Sequence, residues 1–372
     1  MSRHRPAAHP IMRISLLTPE YPGCGPSYGV GRYVESLAHG LSGSQHVLVL
    51  VAADNGFFTL EPGNRPRYHG TVPRRLSLRW PVAARLAMIH HRRFAGELIE
   101  HSNWGALGAA LPADVAQVCR LSSPLQALGG SRLRRLARSL LSWAEHRAVA
   151  RADVVIADST AMAARARVEY GRESVVVHHG LDLPPAPLAP VAGRRVLWVG
   201  RLEERKGIDV LAAAWPLVAA RVPDAELHIV GQDVDGWSGR VATLVRVRHH
   251  GWLAGPELAA MRQACGTVVM PSRFESFGLA VLEAWSAGQC VVASDGGALP
   301  EVVADAGWCP KAGDPAGLAD ALVVALTDEA ARNHHHAAAR GRLPLFGVRP
   351  FIAGTERAYD LALAHHQGSR RR

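Results

Sequence analysis

The chain has 372 residues, 48% of them hydrophobic and 20% charged, with a mean hydropathy of +0.02. That length exceeds one ordinary core and points to two domains, while the balance excludes bulk disorder and no apolar run reaches the ~18 residues of a membrane-spanning helix. The net charge of +10 is uneven: residues 1–190 carry 22 arginines, no lysine and 13 acidic groups, whereas residues 191–372 are nearly balanced.

The start, Met1-Ser2-Arg3-His4-Arg5-Pro6, is basic with no apolar stretch behind it, so no signal peptide is expected, and because Met12 directly precedes a strand-like run, residues 1–11 read as a tail or as a mis-called start. Ile14-Ser15-Leu16-Leu17 predicts a strand, and a loop rich in Gly and Pro follows. Residues 32–41 predict a helix with Tyr33, Leu37 and Leu41 on one face. Val47-Leu48-Val49-Leu50-Val51 is apolar on both faces, as a parallel central strand is. Residues 115–121 and 152–157 read as further strands, and Ser159 is a suitable N-cap for a helix ending at Tyr170. Four prolines between Pro184 and Pro190 rule out helix and central strand, so residues 184–194 read as a stiff linker. The alternation then restarts. Residues 196–200, 227–231, 268–270 and 291–293 predict strands, with a helix over 208–220. Two α/β domains of the Rossmann-like type, 12–183 and 195–345, are expected to face each other across a cleft, with ligands at the carboxyl ends of the strands.

Three clusters fall at such ends. In Pro271-Ser272-Arg273-Phe274-Glu275-Ser276-Phe277-Gly278-Leu279, a strand runs into a helix whose first amides, those of Phe277, Gly278 and Leu279, form an anion site. Glu275 precedes this helix and Glu283 lies inside it. They would be about 12 Å apart if the segment were helical throughout, too far for a retaining glycosidase pair and suited to two ends of a long polar ligand. The plainer alternative is a charge at a helix start plus one exposed glutamate. In Gly200-Arg201-Leu202-Glu203-Glu204-Arg205-Lys206-Gly207, Arg201 and Lys206 can hold a diphosphate; the alternative is a solvated turn in which Glu203 and Glu204 pair the cations. Lys206 is one of only two lysines, the other being Lys311. In Tyr28-Gly29-Val30-Gly31-Arg32, two glycines open a helix, but the dinucleotide fingerprint is incomplete because Val34 stands where its third glycine would fall.

Together these motifs resemble the retaining GT-B glycosyltransferases of family 4, from about residue 12 to 359. Further support comes from Ile229-Val230-Gly231 and Gly297-Ala298-Leu299-Pro300-Glu301. The resemblance implies transfer of a sugar from a nucleoside-diphosphate sugar, with no metal and no other cofactor. It implies that Arg201 and Lys206 bind the diphosphate, Glu275 the sugar hydroxyls and Glu283 the ribose. The amides of Gly29, Phe277, Gly278 and Leu279 would touch sugar and phosphate. It also implies that residues 346–372 hold a last helix returning to the first domain, followed by a basic tail. In two places the chain departs from the pattern. Ser122 stands where the family usually has a histidine, and one glycine of its usual pair is replaced by Tyr28. Glu100 and His101, read as following a strand end, are candidates to face the acceptor. The alternative for His101, one of 19 histidines, is a surface group or one that stands behind the residues in contact with the acceptor.

Asp233-Val234-Asp235 matches the Asp-x-Asp of metal-dependent transferases, but cations already serve the diphosphate. His334-His335-His336 is a helical run whose neighbours point apart. The five cysteines are sparse, without metal spacing, and read as reduced thiols in a cytoplasmic protein. The acceptor classes are a lipid, a polysaccharide or a small metabolite. The basic first half, with Arg132-Leu133-Arg134-Arg135-Leu136-Ala137-Arg138, suits peripheral contact with an anionic membrane or simply a solvated helix. Two other functions compete: a sugar-nucleotide-binding protein without turnover, and a nucleic-acid binder, which the lack of a recognised module disfavours.

Overall fold

A computed structural model describes residues 11–24, 29–73, 76–122, 132–182, 189–253 and 255–370, without the side chains of 76–78 and 132–138. The expected tail before residue 11, Tyr28, residues 184–188 of the proline-rich linker and the side chains of the Arg132 to Arg138 run lie outside that set. The chain divides into two compact units. One contains the residues up to Ala157, Ala163–Val177 and those from Phe351 on; the other contains Asp158–Met162 and His178–Pro350.

The first unit runs β1 (Arg13–Thr18), α1 (Gly29–Leu41), β2 (His46–Ala53), β3 (Gly56–Leu60), β4 (Arg67–Gly70), α2 (Leu76–Arg93), β5 (Leu98–Ser102), β6 (Ala116–Arg120), α3 (Arg132–Arg151), β7 (Val154–Ala157), α4 (Thr160–Tyr170, whose residues up to Met162 count with the second unit) and β8 (Val175–Val176). Its sheet has the order β4-β3-β2-β1-β5-β6-β7-β8. It is parallel from β2 to β8, with Ile14 opposite Val47 and Leu98. The pairs β2–β3 and β3–β4 are antiparallel, an edge that the sequence pattern did not announce. Helix α1 buries Tyr33, Leu37 and Leu41 as its spacing predicts. It begins at Gly29 rather than residue 32, and the Gly31 amide donates to the Glu20 carboxylate at 2.8 Å. A cap from eleven positions upstream leaves no local signal. Ser159 Oγ accepts the Met162 amide at 3.1 Å, the N-cap bond expected at the start of α4.

The second unit runs β9 (Arg195–Val199), α5 (Ile208–Arg221), β10 (Glu226–Val230), α6 (Ser238–Val241), β11 (Val247–His249), α7 (Gly255–Ala264), β12 (Thr267–Met270), α8 (Leu279–Ser286), β13 (Cys290–Ala293), α9 (Leu299–Val303), α10 (Pro315–Thr327) and α11 (Glu329–Arg342). All five strands are parallel, in the order β11-β10-β9-β12-β13. One face buries Trp198 and Trp215 and the other Phe277, Trp285 and Leu299, so both faces are covered, as a parallel sheet requires.

The last helix, α12 (Val348–Arg370), counts with the first unit from Phe351 on. Its buried residues Phe351, Thr355, Ala358, Tyr359 and Ala362 recur at three- and four-residue spacing, the stripe of a helix docked along one face. No helix among the described residues is long and apolar enough to cross a membrane.

Candidate functional site

In the second unit the strand order reverses between β9 and β12, the place where parallel sheets open a crevice at their carboxyl ends. The loop after β9 holds Arg201 to Lys206, and the loop after β12 holds Ser272 to Gly278. The two loops are latched together. The Arg273 amide donates to the Arg205 carbonyl at 2.9 Å, and its guanidinium grips both Asp209 oxygens at 2.7 and 2.6 Å. Gly207 has φ +72°, and a Cβ there would collide with the Pro271 carbonyl, so only glycine permits the approach.

That approach brings Lys206 Nζ to Glu275 Oε1 at 2.6 Å across 69 positions of sequence. Ser272 Oγ donates to the same oxygen at 2.8 Å. Behind Glu275, its carbonyl accepts the Ala298 amide at 2.9 Å, and Gly297, at φ +69°, leaves no room there for a Cβ. The Glu275 side chain is 13% exposed. Burial works to raise its pKa, but the Lys206 charge, the bonds from Lys206 and Ser272, and the nearby Arg205 charge outweigh it and hold the carboxyl below its ordinary value. Glu275 is therefore an ionised acceptor. Arg201 and Arg205 both donate to Glu203 Oε1, at 3.0 and 2.9 Å, so Glu203 does pair the cations of this turn.

Phe277 is buried, its ring packed with those of His178, His179 and Phe346. Gly278 takes φ +101° just before α8, and no side chain caps that helix, whose first-turn N–H groups begin at Leu279. Because α8 starts there, the straight-helix separation of Glu275 and Glu283 does not apply. Glu283 lies inside α8 and is ion-paired to Arg262 of α7. Both Asp233 oxygens are occupied: they accept the Trp237 and Ser238 amides at 2.9 and 2.8 Å, a turn-capping role. His335 and His336 bond in different directions, to the Asp305 carbonyl and to Cys290. Among the described residues no group of three or more His, Cys, Asp or Glu is placed to hold a metal ion.

The remaining candidates belong to the first unit. Gly29 is the exposed first residue of α1, with open space where a Cβ would point. Glu100 and His101 lie within β5, not beyond its end, and are 3% and 1% exposed, which corrects the expectation that they face an acceptor. The cause is pairing inside the core. Glu100 accepts Arg120 Nε at 2.8 Å and the Tyr359 hydroxyl at 2.7 Å. The His101 ring lies against Gly108, and burial pushes its pKa down to about 4, leaving it neutral. Ser122 follows β6 with its hydroxyl engaged: Oγ donates to Asn103 Oδ1 at 3.1 Å and shares a hydrogen bond with Ser102 Oγ at 3.0 Å. Asn103 in turn donates to the buried Glu145 at 2.6 Å.

Sequence reasoning missed Ser272, Arg205, Arg262 and Arg273 as partners, although Ser272, Arg205 and Arg273 sit inside quoted motifs. It also missed Glu301 of α9, whose carboxylate accepts the Thr160 amide at 2.9 Å and bonds His178 Nε2 at 2.7 Å. Only its place in Gly297-Ala298-Leu299-Pro300-Glu301 hinted at it.

Residues 28–184 match the family model described as Glycosyltransferase Family 4, and residues 193–328 match that of Glycosyl transferases group 1. The chain is 36% identical over 202 residues to phosphatidyl-myo-inositol mannosyltransferase of Mycolicibacterium smegmatis, a match covering 51% of this chain and 52% of that protein. The chain thus spans about half the length of the curated relatives it matches. Sucrose-phosphate synthase from Thermosynechococcus elongatus superposes with a TM-score of 0.77 at 22% identity, over 95% of this chain and 99% of that one. HepE of Anabaena, in complex with UDP-glucose, superposes with a TM-score of 0.69 at 19% identity, over 93% of this chain and 99% of that one.

Proposed function

The chain belongs to glycosyltransferase family 4 and has the GT-B fold, and from that premise we propose that it moves a sugar from a nucleoside-diphosphate sugar to an acceptor hydroxyl, retaining the anomeric configuration and using no metal ion. The observation that carries this reading is the 2.6 Å contact of Lys206 with Glu275 at the point where the strand order reverses. It joins a cation suited to phosphate and an ionised acceptor suited to sugar hydroxyls. The UDP-glucose named for the HepE complex supports a nucleotide-sugar donor.

In this mechanism the diphosphate lies against Arg201, Lys206 and the first amides of α8. Glu275 accepts hydrogen bonds from the sugar hydroxyls, and Glu283 from the ribose. As the bond from the anomeric carbon to the diphosphate oxygen breaks, charge grows on the leaving phosphate, where fixed cations and amides stabilise it most. The acceptor oxygen bonds to the anomeric carbon on the same face, and its proton passes to the leaving phosphate oxygen. No side-chain base is required, which makes Ser122 in place of a histidine tolerable. The acceptor is a lipid-linked glycan, a polysaccharide or a secondary metabolite. The enzyme works in the cytoplasm, with peripheral membrane contact through α3, whose exposed Leu140 and Trp143 follow its arginine-rich start.

A thermal-shift panel of UDP- and GDP-sugars, followed by labelled-donor consumption against screened acceptors, tests the proposal. A raised melting temperature with consumption supports it, and no shift with any donor rejects it. Sugar-nucleotide binding without turnover is the second reading, favoured by the engagement of the Ser122 hydroxyl with Asn103 and Ser102. A shift without consumption would select it.

A further inference from the structure

Glu203 stands between two guanidinium groups. Arg201 and Arg205 each direct an NH2 group to the same carboxylate oxygen, at 3.0 and 2.9 Å. The Glu203 side chain is 14% exposed, that of Arg205 24% and that of Arg201 42%, so all three are partly exposed, Arg201 the most. The carboxylate is bonded to these two arginines and does not cap the turn. Glu203 precedes the 3-10 turn Glu204–Lys206, yet its side chain makes no cap bond there. The backbone of the turn is held independently, by the Lys206 amide on the Glu203 carbonyl and the Leu202 amide on the Gln232 carbonyl. Three cations therefore share one turn with Glu203 and Glu204, and Glu203 is the one drawn between two of them. The third, Lys206, is taken by Glu275.

We propose that the Glu203 carboxylate is a built-in stand-in for the donor's diphosphate, and that Arg205 joins Arg201 and Lys206 as a third cation of the diphosphate grip. This inference rests on the nucleoside-diphosphate reading above. With the site empty, Glu203 keeps two like charges from repelling each other and holds the guanidinium groups converged. An arriving diphosphate offers both arginines bidentate oxygens and more charge than one carboxylate, so it displaces Glu203. Glu203 thereby weakens the hold on any singly charged anion and sets a threshold that a diphosphate passes.

The test is calorimetric titration of inorganic pyrophosphate, UDP and GDP into the wild type, E203Q, R205Q and the double variant. Far-UV circular dichroism confirms that each is folded. Glu203→Gln keeps the shape and removes the competing charge, so it should tighten pyrophosphate and the bound nucleoside diphosphate about three- to tenfold. Arg205→Gln should weaken both by a similar factor. In the double variant the gain from Glu203→Gln should shrink, because part of it runs through Arg205. Unchanged or weaker binding in E203Q, or unchanged binding in R205Q, overturns this inference alone. Wild-type protein that binds neither pyrophosphate nor either nucleotide overturns it together with the reading beneath it.

Discussion

The Tyr359 hydroxyl donates a 2.7 Å hydrogen bond to Glu100, a strand residue 259 positions earlier in the chain. Glu100 also receives Arg120 Nε and NH2 at 2.8 and 3.2 Å, and Arg120 NH2 donates to Thr355 at 3.0 Å. The whole cluster is buried in the first unit, so α12 is keyed to the sheet by a buried ion pair. Removing one partner of such a pair strands the other charge. Arg120→Ala should cost about 3–5 kcal/mol, and Tyr359→Phe about 1–3 kcal/mol, in chemical denaturation. A loss under about 1 kcal/mol for Arg120→Ala would show that Glu100 does not need its partner.

Glu145 is 2% exposed, and burial pushes its pKa up to about 8, against the opposing bond from Asn103. The folded protein therefore holds a proton that the unfolded chain has released above the ordinary carboxylate range. Stability should fall as pH rises from about 4.5 to about 8 and level off beyond. Glu145→Gln mimics the protonated form and should raise the melting temperature at pH 8, with the gain fading towards pH 5. An equal gain at both values would exclude the titration of Glu145 as its source.

Asp233 is held ionised, its pKa lowered to about 2 first by the bond from the Ser238 side chain and then by the amides of Ser238 and Trp237. Its work is to cap a turn. Asp233→Ala should cost about 1 kcal/mol of stability, while a chelator should leave turnover intact. Strict dependence of turnover on a divalent ion would return Asp233 and Asp235 to the reaction.

Glu275→Ala and Lys206→Ala should each lower turnover at least about tenfold, roughly 1.4 kcal/mol in the barrier. The Glu275 pKa is depressed, so its pairing with Lys206 contributes fully above the ordinary value of 4.5 and is lost only as pH falls through the depressed one. Donor affinity should accordingly hold constant from pH 8 to 5 and weaken in stronger acid. A decline beginning near neutrality would mean that another group governs binding.

Much of the fold was legible because parallel strands buried on both faces write apolar runs. Val47 to Val51 and Val154 to Ala157 are such runs, and they became β2 and β7. The hairpin of β3 and β4 was not legible, since Arg67-Tyr68-His69-Gly70 sits at an exposed edge and carries no alternation. Within the site, the Lys206 and Glu275 loops were found by residue type at strand ends. Their long-range partners were not, because pairings such as Arg273 with Asp209, Arg262 with Glu283 and His178 with Glu301 join distant segments and leave no periodicity. Glu100 and His101 were set beyond a strand end for the same reason: polar residues in a strand look like a terminus until Arg120 and Tyr359 are seen to close over Glu100.

The most direct measurement is calorimetric titration of UDP and GDP into the wild type and into K206A and R201A. Submicromolar to micromolar binding of one nucleotide by the wild type, weakened at least about tenfold in each variant, is the predicted result. Equal affinity in all three proteins would place the diphosphate away from Arg201 and Lys206 and contradict the account.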